Sequence, residues 1–483
     1  MKNFKKLFGL MLALSLVLLI PGCSEIEPGE DPDNPIITGG PYTITVENGT
    51  IEGVADEAGK YPHNTAIRLV AENRIATNEL FASWTLEGEV VSRSTPYSLR
   101  ALRDGHYIAN YIVDPDAPIL IDPLEGSAIF VQDTDGTDDG VERLIETMFE
   151  NGLFFYKTQR YPSGLIAVDD VVLLKHNCQW PQRGGTNTDL IRSVIQAILD
   201  HPDGFEGEII VADNGHRQWS TGPYGGGSLD WAQGNAKDTS QSVLKVIDGF
   251  KEEGYKVTGN LWDVFTRDLV EEFDEGNMTD GFVRDNASDG NSWRVSYAKF
   301  TTEYGTRISF KNGIFDEVSQ TYDKERFKVI NMPVLKFHNS AHVTGAIKNY
   351  FGTHSQQRAD NHGALGSVAR QMIVMGLPIL HIMDMIYIGT HSGGPTIPYA
   401  NATEINKVAF SNDPIALDYW AAKYVLMPAY TPIDAANAAR TNPDGNTNFG
   451  NNLRRNRDVF NDAEIPYTTN ESEFRVFENG IEK

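Results

Sequence analysis

The amino-acid sequence predicts an α/β fold with a parallel or mixed sheet and flanking helices, arranged in two lobes and preceded by a small all-β module. Residues 41–115 alternate polar and apolar positions with the period of two that is typical of half-buried strands. After residue 115, short apolar runs alternate with segments of helical periodicity, which is the order of a βαβ unit. The chain of 483 residues, 40% of them hydrophobic, is long enough for about three units.

The first 23 residues have the pattern of a secretory signal. Three lysines in residues 2–6 precede an apolar run over 7–20, and the segment Leu19-Ile20-Pro21-Gly22-Cys23 resembles a bacterial lipobox. On this interpretation Cys23 is the lipidated N-terminus; an ordinary signal peptide with an incidental cysteine is the alternative. Residues 24–40 are rich in acids and prolines and predict a tether, similar to the surface-export signal of some Gram-negative lipoproteins. We expect an outer-membrane lipoprotein that is exposed at the cell surface.

Residues 41–115 predict the small β module. The predicted strands cover residues 42–46, 66–71 and 106–111. Asn48-Gly49 is a hairpin turn signal, and Phe81 and Trp84 could fill a small core. The pattern resembles the divergent InlB B-repeat family of extracellular β modules, which implies a stalk or spacer.

Residues 116–440 predict the α/β domain. Its predicted strands lie at 164–168, 171–174, 208–212, 327–332 and 378–383, and its predicted helices at 140–152, 189–199, 242–250, 262–273, 342–350 and 414–426. Asn312-Gly313 is a second hairpin signal. Residues 441–483 are rich in Asn, Arg and Asp, and we expect an irregular C-terminal tail there.

Composition excludes several classes of function. The chain has 66 acidic and 41 basic residues, a net charge of −25, which disfavours nucleic acid as a partner because its phosphates are negative too. The two cysteines are too few for an iron–sulfur cluster or a disulfide framework within this chain.

One stretch, residues 329–352, combines the features of an anion site. A buried strand runs into a loop that holds Lys336, His338 and His342. Thr344 and Gly345 then open a predicted helix that carries Lys348 and Asn349. Because helix N-termini present free N–H groups and partial positive charge, a carboxylate or phosphate could meet Gly345 and Lys348 together.

Polar side chains also follow the other predicted strands. Lys175 and Asn177 come after one buried strand, Asp213 after the next, and Asp384 after a late strand. In open α/β sheets the loops after the strand ends meet at the ligand site. For Asp213 an Asx turn is the competing interpretation, and Asp413 before Pro414 is most simply a helix N-cap.

Four motifs together resemble the DUF362 family. They are the Lys-x-His and Val-Thr-Gly-x-x-Lys-Asn segment at 336–352, the strand and loop at 172–186, the strand ending in an acid and glycine at 208–215, and the Asp-Pro-x-Ala-x-Asp helix start at 413–418. The family has no known activity, so the resemblance implies a fold and a site and leaves the reaction open. Many relatives also carry a ferredoxin-like cysteine cassette, which this sequence lacks.

A shorter segment, His338 to Lys348, has the His, Ala, Gly and Lys pattern of the nickel-pincer lactate racemase family. In that family the matching lysine holds the cofactor and the matching histidine acts at the reacting carbon or the metal. Most of the histidines beyond Lys175 lie in predicted loops at strand ends, where they could bind a divalent metal such as Zn, Ni or Fe or serve as acid and base. His338 and His342 are the candidate metal ligands, and a solvated loop histidine or one hydrogen-bonded in the core is the alternative for each.

These observations predict an enzyme that acts on a small anionic or carbonyl-bearing substrate in a cleft between lobes, with or without a metal. The predicted catalytic residues are His338, Lys348, Lys175 and Asp213. The predicted substrate-binding residues are Lys336, Asn177, Thr344, Gly345, Asn349 and Asp384. The alternative is a lipoprotein that binds a ligand at the cell surface without catalysis.

Overall fold

A computed structural model describes residues 40–74, 79–113, 126–136, 139–215, 227–265, 268–285, 295–355 and 366–483. The chain divides into two compact units, residues 1–115 and 116–483. Cys23, the predicted signal and all but the last residue of the predicted tether lie outside the described residues. Among the described residues, no helix is long and apolar enough to cross a membrane.

The first unit consists of two small sheets. Its strands are β1 (Ile44–Glu47), β2 (Gly49–Glu52), β3 (Ala66–Ala71), β4 (Glu79–Leu86), β5 (Glu89–Ser92), β6 (Tyr97–Arg100) and β7 (Gly105–Val113). One sheet has the order β1-β7-β4-β5 and the other the order β2-β3-β6. Side chains from both sheets form one core around the fully buried Leu69 and Trp84, and Phe81 packs on Trp84 as expected.

The hairpin predicted at Asn48-Gly49 is wrong. Asn48 does turn the chain, with φ of 60°, but β1 pairs with β7 and β2 pairs with β3. The turn therefore passes the chain from one sheet to the other. A side chain at Gly49 would collide with Trp84, because its Cβ would lie 2.6 Å from that ring.

The second unit is a mixed α/β structure. Its strands are β8 (Ser127–Asp133), β9 (Val171–Lys175), β10 (Glu208–Asp213), β11 (Val257–Leu261), β12 (Gly281–Asp285), β13 (Val295–Thr301), β14 (Arg307–Ser309), β15 (Gly313–Asp316), β16 (Thr321–Asp323), β17 (Phe327–Asn331), β18 (Val334–His338), β19 (His342–Thr344), β20 (Leu380–Gly389), β21 (Ala402–Ser411), β22 (Phe474–Glu478) and β23 (Ile481–Glu482). Its helices are α1 (Asp139–Glu150), α2 (Thr188–Leu199), α3 (Val243–Glu252), α4 (Ala346–Tyr350), α5 (Ser367–Met375), α6 (Pro414–Ala421), α7 (Met427–Tyr430), α8 (Ala435–Arg440) and α9 (Asn448–Asp462).

The main sheet has the order β11-β10-β9-β17-β20-β21-β8-β22-β23, with β18 and β19 attached beside β20. The strands from β11 to β20 are parallel neighbours, and β21 runs antiparallel between β20 and β8. Alternate residues of each strand face opposite sides. Val172 and Leu174 pack with α1 to α3, whereas Val171 and Leu173 pack on the other face, towards α4 to α6.

A second sheet, the antiparallel meander β12 to β16, packs on the same face as α4 to α6. The expected pair of lobes thus takes the form of two sheets within one compact unit. Asn312-Gly313 joins β14 to β15 as a hairpin, as predicted.

Several predicted elements differ from the structure. Residues 164–168 form no strand and make only a bridge between Ile166 and Tyr156. A helix is predicted over 262–273, but the described residues of this range form a 3-10 turn at Trp262–Phe265, a bridge from Leu269 to Phe282 of β12, and the start of a second 3-10 turn at Phe273. Trp262 and Phe265 pack against the rings of the meander β12 to β16. Their spacing of three residues also fits a helix, which explains the wrong prediction.

Two further corrections concern the region of the site. The predicted helix 342–350 begins only at Ala346, because residues 342–344 pair with β18 as β19. The strand predicted at 378–383 continues to Gly389, so that Asp384 lies inside β20 and does not follow it.

The irregular tail predicted at 441–483 is also wrong. Phe449, Leu453 and Phe460 place a buried stripe along α9, and β22 adds to the main sheet beside β8. The prediction followed the polar composition of this segment and overlooked the few apolar residues that lie along one face of the helix.

Candidate functional site

The candidate site lies at the edge of the main sheet where its parallel strands end. Lys175 is the last residue of β9, Asp213 of β10 and Asn331 of β17. Loops that follow such strand ends converge, as expected. One cavity of about 30 Å³, room for a water molecule or two, brings most of the predicted residues together. Those that line it are Lys175, Asn177, Asp213, Lys336, His338, Thr344, Lys348 and Asn349.

A buried ion pair forms the floor of the site. Lys175 Nζ lies 2.6 Å from Asp213 Oδ1, and both side chains are at most 3% exposed. Asp213 Oδ2 also accepts a hydrogen bond from the Cys178 amide at 2.8 Å. Burial acts to raise the pKa of Asp213, but the charge of Lys175, the nearby His176 and the hydrogen bonds from Lys175 and the Cys178 amide together hold that pKa below its ordinary value. Gly352 passes close above the pair, since a Cβ there would lie 3.1 Å from each charged atom.

Three asparagines connect the strand ends to α4. Asn349 Oδ1 accepts from Asn177 Nδ2 at 3.1 Å and from Lys175 Nζ at 3.4 Å. Asn349 Nδ2 donates to Asn331 Oδ1 at 2.8 Å, and Asn331 Nδ2 donates to the Ala346 carbonyl at 2.9 Å. This network fixes the orientation of α4. Sequence reasoning missed Asn331, although a polar residue that closes a buried apolar strand is a usable signal.

Lys336 reaches the cavity from β18 and is almost completely buried. Its ammonium contacts the Gly184 carbonyl and lies 3.5 Å from Asn177 Oδ1, both neutral partners. Burial, helped by the positive charge of Lys348, lowers the pKa of Lys336 to about 7.

Lys348 reaches the same cavity from α4. Its Nζ lies 4.4 Å from the centre of the Phe351 ring, a cation–π contact. Burial and the nearby Lys175 charge lower the pKa of Lys348 to about 8. Within the described part of the chain, neither Lys336 nor Lys348 makes an ion pair with a carboxylate.

The two candidate metal ligands, His338 and His342, are paired across the β18–β19 turn. His338 lines the cavity, and its Nδ1 accepts from the Ser340 amide at 3.2 Å. His342 has a left-handed backbone, with φ of 67°, and its Nε2 accepts from Arg440 Nε at 3.1 Å. Burial and the Arg440 charge lower the pKa of His342.

Arg440 occupies Nε2 of His342, whereas the buried Nδ1 of the same ring has no hydrogen-bond partner among the described residues. Across the described ranges, no group of three or more His, Cys, Asp or Glu side chains is placed to hold a metal ion. We therefore derive no chemical step through a metal.

The helix N-terminus at Gly345 is already filled by a carboxylate of the protein itself. Asp418, from α6, accepts hydrogen bonds from the amides of Ala346 at 2.5 Å and Ile347 at 3.1 Å. A side chain at Gly345 could not coexist with it, because a Cβ there would lie 2.2 Å from Asp418 Oδ1. The prediction that Gly345 meets an external anion is therefore wrong. Burial raises the pKa of Asp418 to about 7.

Asp384, predicted to bind substrate, does not line the cavity. Its carboxylate accepts from the amides of Asn187 at 2.8 Å and Ile386 at 3.0 Å inside the protein. Burial raises the pKa of Asp384 to about 6. We assign Asp384 to the support of the loop before α2.

Comparison with known proteins identifies part of the chain. Residues 305–423 match the family model described as a domain of unknown function, DUF362. No curated protein matches the chain, and no solved structure does so either. The matched stretch includes β18, β19 and α4, the elements that carry Lys336 and Lys348. The chain therefore carries a DUF362 domain, and this domain supplies two of the three lysines of the cavity.

Proposed function

We propose that the lysine cavity binds the carboxylate or phosphate end of a small molecule and that the domain is an enzyme acting on this anionic or carbonyl-bearing substrate. The observation that carries the proposal is the convergence of Lys175, Lys336 and Lys348 on one cavity. In the described residues, Asp213 alone contributes a carboxylate to the cavity lining, and it is paired with Lys175.

The charge balance of the cavity favours an anion. Burying an ammonium without a counter-charge is costly, and the lowered pKa values of Lys336 and Lys348 express that cost. A bound anion would supply the missing negative charge and stabilise the protonated form of the lysine that it contacts, which leaves the other lysine free to exchange protons. The small volume of the cavity admits only the charged end of a ligand.

The same two pKa values suit proton transfer. A lysine whose pKa lies near 7 exchanges protons readily at neutral pH and can act as a general acid or base. His338 lines the same cavity and could share this role. The reaction class that fits best is proton transfer at a carbon next to a carbonyl, where the ammonium of the second lysine would stabilise the developing negative charge.

Binding is tested first, on the purified full-length protein. Isothermal titration with inorganic phosphate and with a panel of short carboxylates is expected to find a ligand that wild type binds and Lys348→Met binds at least about tenfold more weakly, a loss of about 1.4 kcal/mol. Lys245→Met removes an exposed lysine of α3 and is the matched control. Equal affinity in Lys348→Met and wild type would refute the anion site.

Catalysis is tested by following the exchange of α-hydrogens of 2-hydroxy and 2-oxo acids with D2O by proton NMR. Wild type is expected to exchange at least one of them, and Lys336→Met is expected to abolish the exchange. Binding without exchange in wild type would support the second candidate, a lipoprotein that binds its ligand without catalysis. That candidate is favoured by the same charge balance and needs no proton transfer.

We also propose that the chain is anchored to the outer membrane through a lipid on Cys23 and faces outward. The lipobox-like segment 19–23 and the acidic tether support this assignment. Labelling of cells with a radioactive fatty acid should mark wild type and leave Cys23→Ala unlabelled. Digestion by protease added to intact cells tests the outward orientation, and protection of the chain would contradict it.

A further inference from the structure

A much larger cavity lies away from the lysines, beside the amino ends of the main-sheet strands. Its volume is about 830 Å³, within the range of about 300–1,000 Å³ that is usual for small-molecule sites. Its lining comes from the end of α1, the loop that precedes β9 and the residues before β10. These segments lie at the amino ends of the strands whose carboxyl ends carry Lys175 and Asp213.

Aromatic rings form the wall of this cavity. Phe149, Phe154 and Tyr161 contact one another with ring centres 4.4 to 5.3 Å apart. Phe149 is 47% exposed, which is unusual for a phenylalanine held in a ring cluster. The Arg160 guanidinium lies 5.9 Å from the Tyr161 ring centre, so a cation–π contact with this wall is already present in the protein.

The loop that carries these rings is held in place by its own backbone. The amides of Leu165 and Ile166 donate to the carbonyls of Phe154 and Phe155 at 3.0 Å each. Gly164 lies directly against this strand-like segment, since a Cβ there would come within 2.0 Å of the Tyr156 carbonyl. The cavity is therefore built before any ligand arrives.

The charge of the lining selects the ligand. Glu146, Glu150 and Asp203 line the cavity, against Arg160 as the basic residue. In the described part of the chain, none of the three carboxylates is in an ion pair. Carboxylates beside exposed ring faces favour a positively charged ligand, because both the charges and the negative faces of the rings attract it.

We propose that this aromatic cavity is a second binding site, which takes an organic cation with an aromatic or alkyl body, such as a quaternary ammonium compound. The ammonium lies near Glu146 and Glu150 and against the ring face of Phe149, and its apolar body packs on Tyr161. The site is independent of the lysine cavity, since the two lie at opposite ends of the same strands.

Titration calorimetry of the full-length protein with benzyltrimethylammonium tests the proposal, with benzyl alcohol as the uncharged comparison. Wild type is expected to bind the cation more tightly than the alcohol. The double variant Glu146→Gln with Glu150→Gln should bind the cation at least about fivefold more weakly. Phe149→Leu, which keeps an apolar side chain but removes the ring, should also weaken binding about fivefold.

Glu142→Gln is the matched control, because Glu142 is exposed on the same helix and does not line the cavity. Glu142→Gln and Lys348→Met are both expected to bind the cation with the affinity of wild type. The proposal is overturned if wild type does not bind the cation or if it binds the alcohol equally well. A loss in Glu142→Gln as large as that in the double variant would overturn it as well.

Discussion

The three lysines of the cavity differ in their partners. Lys175 has the Asp213 carboxylate at 2.6 Å, whereas Lys336 contacts a carbonyl and an amide oxygen and Lys348 contacts an aromatic ring. Neutral partners offset less of the cost of burying a charge than a carboxylate does. The charge available to a ligand is therefore the charge of Lys336 and Lys348.

The affinity for an anionic ligand is expected to depend on pH. Protonated lysines bind an anion, and the pKa values are about 7 for Lys336 and about 8 for Lys348. Affinity should be highest below pH 7 and fall as the pH rises from 7 to 9. At pH 8 binding should take up protons, which calorimetry detects as a dependence of the heat on the ionisation enthalpy of the buffer.

Lys348→Arg, which stays protonated throughout this range, is the informative comparison for this pH dependence. If it binds, it should take up fewer protons than wild type. A constant affinity between pH 6 and pH 9 in wild type would show that neither lysine titrates in the ligand-free site.

The sequence could predict most of these residues one by one. Lys175 and Asp213 follow continuous apolar runs, and a charged residue that ends such a run has few structural reasons to be there. Asp418 could not be assigned in this way, because its partner Ala346 is 72 residues away along the chain. The spacing within α6 indicates a helix, but it does not indicate which helix end the carboxylate meets.

At the scale of elements, α4 depends on α6. The helix has only five residues, too few to be stable alone, and its first amides are satisfied by Asp418. The asparagine network secures its other side. The position of Lys348 therefore depends on contacts from three distant parts of the chain.

Asp418→Ala is expected to lower the free energy of unfolding by about 2–3 kcal/mol, because it leaves two buried amides without acceptors. Asp418→Asn keeps one acceptor oxygen and should cost less. Urea unfolding measures both. The control is Asp434→Ala, which removes the cap of α8 at 3.0 Å from the Asn437 amide, near the surface, and should cost about 1 kcal/mol. A smaller loss in Asp418→Ala than in this control would contradict the assigned role.

Elements with one clear period were predictable, and elements shaped by their neighbours were not. The strands β9, β10 and β17 follow from their apolar runs, and α2 and α3 from their helical stripes. The helix prediction for 262–273 failed because buried residues that pack beside a sheet can also be spaced as in a helix. The helix prediction for 342–350 failed at its start because residues 342–344 pair with β18 as an antiparallel strand. The local sequence pattern does not indicate this pairing.

At the scale of the whole molecule, the main sheet joins distant parts of the chain. β22 lies beside β8 although more than 340 residues separate Phe130 and Phe477 in the sequence, and the two rings stack with centres 5.0 Å apart. The residues after 440 are thus part of the core and not a loose end.

Phe477→Ala should lower the free energy of unfolding by about 3–5 kcal/mol, the usual cost of emptying a buried aromatic site. Thermal and urea unfolding measure the loss. Ile481→Ala, at a side chain that is 63% exposed in the adjoining β23, should change stability by less than about 0.5 kcal/mol. Equal effects in the two variants would mean that β22 does not contribute to the core.

Asp418 has a consequence for selectivity. Backbone amides hold an anion in a fixed geometry, but at α4 the amides of Ala346 and Ile347 are already committed to a carboxylate of the protein. Recognition of an external anion then falls to lysine ammonium groups, whose flexible stems adapt to the ligand. Such a site discriminates by charge more than by shape. A planar carboxylate and a tetrahedral phosphate would compete for it, and the remainder of each molecule would have to supply the distinction.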